Sequence, residues 1–136
     1  MGLAERRVIK SFQENEYQKF LAEVREVVGK DVDVDVQWDS LAEDGMSHLY
    51  EEAWVKVYFE PVKDALKSIC SDDMGKEAIT ESLGKIIIKN EGDIHYAGKW
   101  SSFDGNVLTL DHKPTTNIDQ INDRAKAVQT LLENNL

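Results

Sequence analysis

The sequence predicts an α+β fold with a mostly antiparallel sheet, and three stretches carry that prediction. Asp31-Val32-Asp33-Val34-Asp35-Val36 alternates with period two, the pattern of a strand with one buried and one wet face. Residues 85–111 hold a β-branched run and a tight turn, which reads as a three-stranded meander. Apolar residues at helical spacing lie before, between and after these strands. The meander and the Val/Asp strand near 31–38 then form one sheet, covered by N-terminal, central and C-terminal helices.

The elements follow in order. Ser11 and Glu14 have the spacing of a capping box, and Tyr17, Phe20, Leu21, Val24, Val27 and Val28 fall on one face behind it. A helix from Ser11 to Val28 is expected, stopped by Gly29. The Val/Asp strand follows and ends near Trp38, before a polar connector from Asp39 to Gly45. From Met46 to Cys70 apolar residues recur at helical spacing but Pro61 interrupts them, so two helices meeting near Pro61 are expected. The alternation of Val55, Val57 and Phe59 leaves a strand open over 54–59. A short helix from about Asp73 to Leu83 closes at Gly84. Lys85–Lys89, His95–Trp100 and Val107–Asp111 are the meander strands, with Asp104-Gly105 in the second turn. Asn117 and Gln120 cap a last helix whose apolar face is Ile118, Ile121, Ala125, Val128 and Leu132.

The 136 residues suit one domain, 1–136, large enough for a core without disulfides. Hydrophobic residues make up 41% and charged residues 31%, a folded rather than a disordered balance. There are 26 acidic against 16 basic residues, a formal charge of −10. That charge excludes a nucleic-acid binder and an anionic-membrane binder, which need basic patches. It suits a basic partner protein or a cation, as well as solubility. Cys70 stands alone, so no internal disulfide forms, and a half-buried structural thiol is expected. No apolar run is long enough to span a membrane, the N-terminus lacks a signal core, and Arg6 stands where myristoylation wants Ser or Thr. A cytoplasmic location is the resulting expectation.

Few residues carry chemistry. Phosphate-binding loops, dinucleotide glycine patterns, zinc-protease motifs and serine-nucleophile motifs are absent from the sequence, so no cofactor is expected. Asp31, Asp33 and Asp35 fill the first, third and fifth positions of a calcium-binding EF-hand loop. Val36 stands where that loop needs glycine and Ala42 where it needs glutamate, so the strand reading prevails. His95, Asp111 and His112 converge if the meander strands pair, which makes them a candidate metal or acid/base cluster. His48 with Glu51 and Glu52 shares a helix face but reads as solvated. Trp38 and Trp54 are assigned to the core, and Trp100, beside the hairpin, to the surface.

Two functions follow. The first is a non-catalytic interaction module that offers Asp31, Asp33, Asp35 and Trp100 to a basic partner. It matches inhibitor or immunity-type proteins in charge and size alone, as proteins that present carboxylates to a cationic cleft. The second is a small-ligand or divalent-metal binding domain, an enzyme included, built on His95, Asp111 and His112.

Overall fold

The computed structural model describes residues 2–136. It is an α+β fold in two layers, with helices packed on one face of a four-stranded sheet. The helices are α1 (Leu3–Glu14), α2 (Glu16–Val28), α3 (Trp38–Leu41), α4 (Tyr50–Trp54), α5 (Glu60–Ile69), α6 (Asp73–Ser82) and α7 (Ile121–Glu133). The strands are β1 (Asp33–Val36), β2 (Lys85–Lys89), β3 (Ser101–Asp104) and β4 (Val107–Asp111).

The sheet is mixed and mostly parallel, which corrects the antiparallel meander. Its order is β1-β2-β4-β3, with β1 parallel to β2 and β2 parallel to β4. Among the described residues only the β3–β4 hairpin is antiparallel. Its turn is centred on Gly105 and Asn106, both at positive φ, between the paired Asp104 and Val107. The segment His95–Trp100 is not a strand. It ends in a 3-10 turn at Ala97–Lys99, and the helical backbone of Trp100 turns its indole inward.

The N-terminal helix is also two helices. Ser11 lies inside α1 and caps nothing. The break falls at Asn15, whose side-chain amide donates to the Ser11 carbonyl at 2.8 Å. The Asn15 N–H still donates to the same carbonyl at 3.1 Å, and the chain turns at the Asn15 backbone itself, at φ −118 and ψ −87. α2 then stops at Gly29 (φ 81), as the sequence predicts. α6 starts where expected, the Asp72 carboxylate accepting from the Gly75 N–H at 2.7 Å.

The central segment runs through Pro61 without a break. α4 continues into a π turn (Val55–Phe59) and then into α5, the Glu60 N–H reaching back to the Val55 carbonyl. In an α-helix the ring of Pro61 would strike the Val57 carbonyl and leave it without a donor. The π turn widens the helix there, and Arg124 of α7 supplies the donor. Arg124 is 1% exposed. Its Nε donates to the Val57 carbonyl at 3.1 Å and its Nη2 to Lys56 at 3.1 Å. Nη1 and Nη2 also hold the carbonyls of Asn117 (2.7 Å) and Ile118 (2.8 Å). Asn117 is therefore no helix cap. It sits at φ 54 and its amide donates to the His95 carbonyl.

One core joins the layers. Val36, Ile86, Ile88, Leu108 and Leu110 are buried on the helical side of the sheet. Phe12, Phe20, Trp54 and Phe59 pack together between the helices, with Trp38 and Tyr17 at their margin. α7 buries Val128 and Leu132 along with Arg124.

Arg124→Met should lower unfolding free energy by about 3 kcal/mol or more, because it strips donors from several carbonyls at once. Arg124→Lys should recover little, since one ammonium cannot span the fork that a guanidinium fills. Denaturant unfolding checks both.

Candidate interaction surface

Strand register decides which residues share the outer face. Val34 lies beside Ile86 and Val36 beside Ile88, and these lie beside Leu108 and Leu110 of β4. That row faces the helices. The alternate row is Asp33 and Asp35 on β1, Lys85, Ile87 and Lys89 on β2, and Val107, Thr109 and Asp111 on β4, with Ser102 and Asp104 on β3. No residue in it is buried. Ile87 and Val107 are half-buried and lie outside the core cluster.

Charges ring this apolar centre. Asp33 lies 3.9 Å from Lys85, and its side chain stays 69% exposed. Asp35, beside Ile87, and Asp31, just before β1, are exposed. Asp104 is exposed at the opposite edge, paired with Val107. Lys89 bonds Glu91 at 3.0 Å. The Asp111 carboxylate is committed to the backbone, accepting from the N–H groups of Glu91 (2.9 Å) and Gly92 (3.1 Å).

The outer edge of β1 is closed by α2. The Val34 carbonyl accepts from the Tyr17 hydroxyl at 3.5 Å, and the Val32 carbonyl from Arg25 Nε at 3.3 Å. Burial pushes the Tyr17 hydroxyl pKa up; the Arg25 cation opposes that, and the Asp33 and Asp35 charges add to it. Side-chain donors on outward carbonyls discourage pairing with a further strand.

Trp100 does not belong to this surface. It is 1% exposed, and its Nε1 donates to the Arg124 carbonyl at 3.3 Å. The proposed cluster of His95, Asp111 and His112 does not assemble as a ligand set either. Among the described residues no three His, Cys, Asp or Glu side chains gather as metal ligands. His95 Nε2 stands 3.8 Å from Asp93, while His112 is buried, with its Nδ1 2.6 Å from the Lys113 carbonyl. Nε2 of His112 finds no described partner. Tyr58 donates its hydroxyl to the His112 carbonyl, and the Trp100 ring meets the imidazole edge-on. His48, Glu51 and Glu52 are exposed, Glu52 pairing with Lys56 at 2.7 Å. Burial raises the Cys70 thiol pKa, and the residue is half-buried.

The buried Arg124 is the important residue that the sequence reading missed. Ile121, Arg124, Val128 and Leu132 follow the three-and-four spacing of one helix face, so its position in the apolar stripe was the available signal. Comparison with protein-family models, with curated proteins and with solved structures finds no match for this chain.

His112 makes stability depend on pH. Burial lowers its pKa below the usual 6.5; the bond to the Lys113 carbonyl opposes this, and the Arg124 cation adds to the lowering. The unfolded chain therefore takes up the proton first. The His112 contribution is complete above about pH 6.5 and is lost as pH falls toward the lower folded pKa. Urea midpoints measured across this range should fall more steeply for the wild type than for His112→Gln.

Proposed function

We propose that this chain is a non-catalytic interaction module that docks a basic protein on the outer face of its sheet. The observation that carries the reading is the uncovered face of a largely parallel sheet. Parallel strands are ordinarily covered on both sides. Here the second side presents Ile87, Val107 and Thr109 inside a rim of Asp33, Asp35 and Asp104. An apolar centre with a charged rim is the general anatomy of a protein interface. Lys85 and Lys89 are the lysines of this face, and each lies near a carboxylate. The unpaired excess is therefore negative, in a chain whose formal charge is −10. Such a surface accelerates encounter with a cationic partner and fixes its orientation. The half-buried isoleucine and valine supply the short-range contact.

The test is capture from a host extract on the immobilised chain, compared with the Asp31→Asn, Asp33→Asn, Asp35→Asn triple variant. The retained proteins should be basic and should elute as salt rises. The triple variant should melt like the wild type and lose most of the retention. Retention that survives both the variant and about 0.5 M salt, where charges are screened within a few ångströms, would overturn the reading.

A further inference from the structure

The two edges of the sheet are finished differently. Tyr17 and Arg25 occupy the outward carbonyls beside β1, whereas the outward backbone of β3 faces no such closure. The pairs Asp104 with Val107 and Ser102 with Thr109 are the bonded pairs of a two-residue hairpin, and the Asp111 N–H donates to the Trp100 carbonyl at 2.8 Å. Ser101 and Phe103 therefore direct their N–H and C=O groups away from β4. Among the described residues none bonds these groups. A groove of about 470 Å³ runs beside this edge, between the 97–101 segment and α7, lined by Ser101, Asp123, Lys126, Ala127, Thr130 and Leu131 among others.

We infer that the free edge of β3 takes an extended segment of the basic partner as a fifth strand, bonded through the main chain to Ser101 and Phe103. This rests on the partner being basic, as proposed above. Strand addition gains affinity from main-chain bonds and specificity from alternate side chains. Side chains on the helical side of the added strand would enter the groove against Ala127 and Leu131, which are half-buried apolar residues. Those on the other side would continue the outer face beside Ser102 and Asp104. The segment that fits alternates apolar with basic residues. The exposed Asp104, on the outer face where those basic side chains would lie, favours the basic set, while Asp123 and Lys126 on the groove rim offset each other. A second copy of the chain is the poorer occupant, because it brings another charge of −10 to the same edge.

The experiment uses the full chain, isotope-labelled, with a capped octapeptide of alternating valine and lysine as probe. The control is the same peptide N-methylated throughout, which keeps charge and side chains but cannot donate a main-chain bond. Valine–lysine peptide should slow amide exchange at Ser101 and Phe103 by about tenfold, and N-methylation should weaken binding by about tenfold. Thr130→Lys, at an exposed position on the groove rim, should weaken binding as well. Equal binding of both peptides without protection at Ser101 and Phe103 would overturn the edge inference and leave the basic partner standing. Equal protection by an uncharged valine–threonine peptide would keep the edge and remove the basic partner. Failure of every peptide to bind would overturn the inference.

Discussion

The guanidinium of Arg124 is the interaction on which the rest of the arrangement depends. Pro61 cannot donate a backbone hydrogen bond, so a continuous helix through it leaves an acceptor inside the protein. The π turn shifts the Val57 carbonyl away from the proline ring, and Arg124 meets it there. The same side chain holds the carbonyls of Lys56, Asn117 and Ile118. It thus ties the central helix to the segment that leads from β4 into α7. Its own backbone carbonyl accepts from Trp100, which joins the start of the hairpin to the same point. The charge is dispersed over peptide dipoles, with no carboxylate partner among these bonds. That arrangement is tolerable in a core because the guanidinium carries fixed donors in a plane and is only weakly hydrated.

Strand alternation showed through the sequence, while strand direction did not. A parallel strand covered on both sides reads as a continuous apolar run, and an alternating strand is ordinarily antiparallel. Here Ile86 and Ile88 face the helices while Lys85 and Lys89 face outward, so parallel strands carry the alternating pattern of a one-sided sheet. Side-chain period is the same for both directions, and only the pairing of distant segments separates them. The stops and starts governed by neighbouring residues were legible, as at Gly29 and Asp72. The break at Asn15 was not, because the apolar spacing of the segment continues across it.

The acidic side of the surface was legible for the same local reason. Exposure of Asp33 and Asp35 follows from their alternation with valine. The inward turn of Trp100 was not, since it depends on the helical backbone before β3 and on a bond to a helix that begins some twenty residues later. The failure of His95, Asp111 and His112 to form a ligand set among the described residues has a related origin. The Lys113 N–H does bond the Ile94 carbonyl, but His95–Trp100 is no strand. His112 is buried, His95 lies beside Asp93 and Asp111 is held by the backbone at Glu91 and Gly92.

The parallel register of β1 and β2 also has a consequence during synthesis. β1 leaves the ribosome while its partner, about fifty residues downstream, is still untranslated. At about 5–20 residues per second that interval lasts several seconds. A bare stretch of alternating valines is then a template for any strand of another nascent chain. The aspartates interleaved with those valines make such a pairing repulsive between identical chains. The delay ends when Lys85 arrives to face Asp33 across the register. The charge that lies on the outer face of the finished sheet thus also disfavours self-pairing of the unfinished chain.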